Sequence, residues 1–215
     1  MKLTKDLADL GKRNLIVEGY DESSLCDFLL KKNSWKPEFV INAEGYSNIK
    51  KDLFAILSSE IPEVIGFAID YDYYQNSEET GNVWEDFKNQ LGRVGISKLE
   101  YSERGFIEKS DVLKVGVFIF GYGLNPPGSM EDLILPMIKE TPLKNYVVEA
   151  TDNLQGPELK LFEEHQRKKV VIKTWRAWQK KPGISIGDAL KKGLLQETDE
   201  LTNFKSWLQN LYSND

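Results

Sequence analysis

Two aspartates one residue apart, Asp70 and Asp72, close the apolar run "VIGFAIDYD" at residues 64–72. Period two along a strand puts both side chains on one side, where crowded like charges disfavour each other's ionisation. A divalent cation removes that penalty. Two further acids belong to the pattern: Glu18 in "RNLIVEG", followed by Gly19, and Glu131 in "GSMEDLIL". Mg²⁺ takes octahedral oxygen coordination and keeps several waters, so a few carboxylates suffice when a phosphate completes the shell. Each acid alone reads more readily as a helix cap or a solvated loop charge; the ordered set is what points to a metal.

Composition narrows the metal and the partners. The 215 residues hold one cysteine, Cys26, and one histidine, His165, which excludes an internal disulfide, a cysteine-based zinc site and a histidine cluster. Oxygen ligands favour Mg²⁺, Mn²⁺ or Ca²⁺. A formal net charge of −6 argues against a protein coated in DNA-binding charge. Yet between His165 and Lys192 there are nine Lys or Arg against one acid, Asp188, an asymmetry suited to a polyanion. The start "MKLTKDLADLGKRNLIVEG" has no apolar signal core, and no uncharged run approaches the roughly 18 residues of a membrane span. A soluble cytoplasmic protein without membrane contact is expected.

These acids need elements to position them. "RNLIVEG", "EFVINAEG", "VIGFAIDYD" and "KVGVFIFGYG" read as strands. Amphipathic helices follow: "DESSLCDFLLKK", "SNIKKDLFAILSSE" with Ser47 as N-cap, "VWEDFKNQLGRVG", and "SMEDLILPMIKE" with Ser129 as N-cap. Residues 98–111 read as an extra edge strand or hairpin. Such alternation predicts an α/β fold with a mostly parallel sheet flanked by helices. Residues 1–155 form this domain, and 156–215 a C-terminal helical extension packed on it: one long helix from Pro157 to Pro182, then "SIGDALKKGLL" and "ELTNFKSWLQNLY". In a parallel sheet, ligands bind at the carboxyl ends of the strands near the reversal of strand order. Glu18, Asp70, Asp72 and Glu131 all fall at that edge.

"LIVEGYDESSL", "FAIDYD" and "GSMEDLIL", in that order, resemble the Toprim domain. The chain is most similar to small Toprim-like proteins of unknown function related to the Toprim nuclease half of the overcoming-lysogenization-defect (OLD) nucleases. Its tail, "KVVIKTWRAWQKKPGISIGDALKKGLL" and "FKSWLQNLY", resembles that small family's helical ending. The resemblance implies a Rossmann-like Toprim sheet and a Mg²⁺- or Mn²⁺-dependent phosphoryl-transfer site with one or two ions. It places acid/base chemistry or metal binding on Glu18, metal binding on Asp70 and Asp72, and a second-metal role on Glu131, with Asp132 as the next match. Lys169 matches the family's tail lysine and would stabilise charge on the transferring phosphate. "FGYGLNPPG" departs from the Pro-Asp-Asn of the small family, and no Gly-x-x-x-x-Gly-Lys-Ser/Thr occurs in these residues, so no P-loop ATPase half is expected among them.

Lys169, Lys173, Arg176 and Lys180 step by four, three and four along the long helix, a phosphate-contacting stripe or a solvated charged face. Val171, Trp175 and Trp178 fall on another face, as core or as base-stacking rings. Cys26 reads as a buried small hydrophobe, His165 as a helix-surface residue, and Asp21 and Glu22 as first-turn acids. The expected function is a metal-dependent nuclease or related phosphoryl-transfer enzyme acting on nucleic acid, DNA in preference to RNA. The alternative is a catalytically inactive Toprim-like binding or regulatory module with a protein partner.

Overall fold

The computed structural model describes residues 10–31, 33, 35–71, 82–102, 105–124, 128–156 and 158–213. The apolar runs form strands β1 (Arg13–Val17), β2 (Phe39–Asn42), β3 (Val64–Asp70), β4 (Phe106–Lys109) and β5 (Lys114–Phe120). Between and after them run α1 (Tyr20–Leu30), α2 (Tyr46–Leu57), α3 (Val83–Arg93), α4 (Met130–Met137), α5 (Pro142–Asp152), α6 (Arg167–Ala177), α7 (Ile186–Lys191) and α8 (Asp199–Tyr212). The sheet order is β2-β1-β3-β5-β4. All neighbours are parallel except β4, an antiparallel edge strand on β5. β3 and β5 lack polar alternation because helices cover both sheet faces.

The two faces bury separate cores. Leu15, Val17, Ala68, Phe118 and Phe120 point to the face covered by α1, α4, α6, α7 and α8. Ile16, Ile65, Phe67, Ile69, Val115 and Val117 point to the face covered by α2 and α3. From β1 the chain crosses to β2 over the first face and returns to β3, on the other side of β1, over the second. That reversal opens a crevice at the carboxyl ends of β1 and β3.

Several expectations hold in detail. Ile49, Leu53, Ile56 and Leu57 of α2 are buried, as are Val83, Trp84, Phe87 and Leu91 of α3 and Cys26 of α1. Others are corrected. Gly45, not Ser47, is the N-cap of α2, with φ of 118°, in the region glycine alone enters without strain. The tail has no long helix from 157 to 182: a 3-10 turn at Glu164–Gln166 precedes α6, which ends at Ala177. The Gly183 N–H closes that end on the Arg176 carbonyl at 2.9 Å, and Pro182 could not extend the helix. Lys180 therefore lies beyond α6. His165 is exposed on the 3-10 turn. Val171 and Trp175 are core, but Trp178 is 47% exposed, with its ring 5.8 Å from that of Tyr146. α5 adds to the expected elements, and Thr141 and Pro142 mark its start: the Thr141 hydroxyl accepts from Lys144 N at 3.2 Å. Asp72 and Pro157 lie outside the described residues. Among the described residues, no helix is long and apolar enough to cross a membrane.

A glycine pair lets the tail close on the sheet. Gly66 of β3 and Gly116 of β5 are register partners, and α8 lies over both. A Cβ on Gly66 would come within 2.7 Å of Leu211 Cδ2 and 2.8 Å of the Tyr212 hydroxyl. Neither side chain can retreat, since both are fully buried and the Tyr212 hydroxyl donates to the Asn14 carbonyl at 2.5 Å. Gly66→Val is therefore expected to destabilise the fold by about 1–3 kcal/mol, measured by urea unfolding. A surface change such as Lys51→Ala is expected to stay within about 0.5 kcal/mol.

Candidate functional site

β1 ends at Val17 and the chain turns through Glu18 and Gly19 into α1. Backbone bonds hold Glu18 in place: its N–H donates to the Ala68 carbonyl at 3.3 Å, and its carbonyl accepts from Gly45 N at 2.9 Å. Its carboxylate Oε2 accepts from Asp70 N at 3.1 Å. Asp70, the last residue of β3, accepts at Oδ1 from Met130 N, the first amide of α4, at 2.8 Å. A carboxylate there complements the partial positive charge of the helix N-terminus. The ends of β1 and β3 and the start of α4 are thus joined through two acidic side chains.

The first turn of α4 splits its acids between two sides. Glu131 enters the crevice, and its Oε1 lies 3.5 Å from Lys169 Nζ of α6. Asp132 accepts from Ser129 N at 3.0 Å, pairs with Lys168 and borders a different cavity. α6 contributes Lys169, Ile172, Lys173 and Arg176 to the crevice, at the three-and-four spacing that shares one helical face. Arg176 is fixed: Nη1 donates to both oxygens of Asp21 at 2.8 Å, and Nε donates to the Ile184 carbonyl at 2.7 Å. The result is a cleft of about 480 Å³ at the carboxyl edge of the sheet, with Glu18, Asp70 and Glu131 facing a cationic wall.

Three further residues, Glu22, Asn42 and Glu44, line this cleft. Glu22, read as an ordinary first-turn acid, is only 7% exposed and lines the cleft. A side chain on Gly19 would lie 2.9 Å from its Oε2, so the glycine makes its room. Burial first, then the charges of Glu18, Glu131 and Asp21, push the Glu22 pKa up to about 7, against the opposing bond from its own amide. Asn42 and Glu44 line the opposite rim. A signal for them exists: Glu44-Gly45 follows β2 as Glu18-Gly19 follows β1. Glu44 sits at φ 57°, an uncommon region for a residue with a Cβ.

Of the proposed metal ligands, Glu18, Asp70 and Glu131 come to one cleft, while Asp72 lies outside the described residues. Among the described residues, no three His, Cys, Asp or Glu side chains are close enough to hold an ion together. The contacts explain the spread. Asp70 turns to the amide of Met130, Glu18 to the amide of Asp70, and Glu131 to Lys169. An all-oxygen, acid-rich cleft with room for water still suits Mg²⁺ or Mn²⁺, which bind through one or two carboxylates and retain much of their hydration.

A sequence model for the family described as "Protein of unknown function (DUF3226)" matches residues 12–213. Comparison with curated proteins gives no match, and neither does comparison with solved structures.

The raised pKa of Glu22 has a measurable consequence. Its protonated form is favoured by folding, so the stability it contributes is fully present below its ordinary value of 4.5 and is lost as pH rises through about 7. Wild-type protein is expected to lose roughly 2–3 kcal/mol from this group between pH 4.5 and pH 8. Glu22→Gln should flatten that part of the profile in urea unfolding across the same range. An unchanged slope would show that Glu22 is not the group responsible.

Proposed function

The chain belongs to the DUF3226 family, and for it we propose a metal-dependent phosphoryl-transfer enzyme, a nuclease acting on nucleic acid, DNA in preference to RNA. One observation carries this reading. Acids (Glu18, Asp70, Glu131) and cations (Lys169, Lys173, Arg176) line the same cleft, where the strand order of a parallel sheet reverses. Acids alone would repel a phosphodiester, and cations alone would bind one without activating water. The resemblance of "LIVEGYDESSL", "FAIDYD" and "GSMEDLIL" to the Toprim domain, and to the OLD nucleases, supports the same chemistry.

Glu18, Asp70 and Glu131 would hold one or two Mg²⁺ or Mn²⁺ ions, with Asp72 as a further ligand. The ion, when bound, supplies Lewis-acid stabilisation and lowers the pKa of water. Glu18 accepts the proton released by the attacking water, being fixed at the strand end by its own backbone and by Asp70 N. Lys169 exchanges its Glu131 partner for the transferring phosphate, where its charge is worth more in the transition state than in the ground state. Lys173, exposed on the same helical face, holds the flanking backbone. Arg176 positions the wall by tying α6 to the first turn of α1.

A second reading, a binding or regulatory module without catalysis, is favoured by the spread of the described carboxylates. Incubation with plasmid and single-stranded DNA in Mn²⁺ or Mg²⁺ separates the two. Wild-type protein is expected to cleave, with Asp70→Asn and Glu18→Gln each slower by about a hundredfold or more. Titration calorimetry with Mn²⁺ should show the same variants binding the ion more weakly. Metal-independent cleavage, or variants as active as wild type, would overturn the enzyme reading.

A further inference from the structure

A second cavity, of about 840 Å³, opens on the far side of α4 at the carboxyl end of β5. We propose that it is a nucleobase pocket, taking a base of the same strand whose phosphate lies in the acidic and basic cleft. The inference rests on the nuclease reading for its biological substrate, though not for its chemistry.

The walls are aromatic and fixed. Tyr101 and Tyr122 line the cavity, with ring centroids 4.2 Å apart. Tyr101 is held by a second ring, Trp84, at 5.0 Å, and its hydroxyl accepts from Ile119 N at 2.5 Å. Planar bases stack on such preorganised rings whatever their sequence. The polar groups favour a base over a phosphate. Glu200 and Asn203, one turn apart on α8, line the cavity. Neither side chain has a hydrogen-bond or ion-pair partner among the described residues. A carboxylate that accepts and an amide that both donates and accepts match the edge of a base. Among the described residues no Lys, Arg or His lines this cavity, the charge of Asp132 is already answered by Lys168, and Glu200 adds a further acid, so a phosphate finds no partner here and is drawn to the other cleft.

The two sites are also joined. Glu131 lines the cleft while Asp132 and Leu133 line the cavity, so one helix about 10 Å thick separates them. Tyr71, directly after Asp70, meets Tyr122 edge to face at 5.4 Å. A short stretch of single strand bridges that span, with its phosphate on one side of α4 and its base on the other.

The test uses free nucleosides, which need no cleavage and no metal. Saturation-transfer NMR of the whole protein with adenosine and with cytidine is expected to show binding that excess ribose 5-phosphate, drawn to the other cleft, does not displace. Asn203→Ala and Tyr122→Ala should each weaken nucleoside binding about tenfold or more, while Lys169→Ala leaves it unchanged. Thermal unfolding identifies any variant that fails to fold, and Glu200→Gln on the exposed start of α8 gives an independent arm with the same expected direction. Absence of nucleoside binding to wild-type protein, or binding untouched in the folded cavity variants, would overturn the pocket. DNA cleavage without nucleoside binding sinks this inference alone, and nucleoside binding without cleavage sinks the nuclease reading alone.

Discussion

The hydrogen bond from Met130 N to Asp70 Oδ1, 2.8 Å long, is the contact on which the cleft depends. It joins the last residue of a central strand to the first amide of α4, so the helix that carries Glu131 starts where β3 stops. Glu18 joins from β1 through the next amide, that of Asp70. Three acids from distant parts of the chain are thereby set at one sheet edge. A buried or half-buried carboxylate needs donors to offset its lost hydration, and backbone amides at a strand end and a helix start provide them in fixed directions.

The opposing charge comes from the tail. α6 brings Lys169, Lys173 and Arg176 over the acids, and it is held there by Val171, Ile172 and Trp175 in the core of that face. α8 completes the cover by settling on Gly66 and Gly116, with Trp207 Nε1 donating to the Phe106 carbonyl at 3.1 Å. The tail is thus part of the cleft wall and of the sheet's packing at once. Glu22 registers the resulting field: enclosed by this packing and surrounded by Glu18, Glu131 and Asp21, it holds its proton to about pH 7. The Arg176–Asp21 pair answers part of the same charge at the rim.

The balance within the cleft bears on what it can do. Each acid already has a donor in its present setting, and Glu131 has a lysine within 3.5 Å. A divalent ion would have to compete with these contacts, which are individually weak because the lysine is largely solvated. Phosphate oxygens offer Lys169 and Lys173 stronger partners than a lone carboxylate does. Ion and phosphate therefore favour each other in such a site, each relieving the charge that the other leaves.

Much of the fold was legible because it rests on local patterns. Uncharged runs marked β3 and β5, helical spacing marked the inward faces of α2 and α3, and strand–helix alternation implied the mostly parallel sheet. The order of acids after strands also pointed to one edge, since side chains at strand ends share it by construction. What failed had two causes: the cap of α2 went to Gly45, whose amide bonds the distant Glu18 carbonyl, and the tail helix is bounded locally, by the 3-10 turn before it and by the Gly183 N–H closing on the Arg176 carbonyl after Ala177. Glu22 was invisible as a special acid because a first-turn glutamate is ordinary until α4 and α6 close over it. Sequence by itself determined which residues could carry charge and on which elements they sit. Tertiary structure alone decided which charges meet, since burial and the distances between Glu131, Lys169 and Glu22 exist only once α4 and α6 pack against the strand ends.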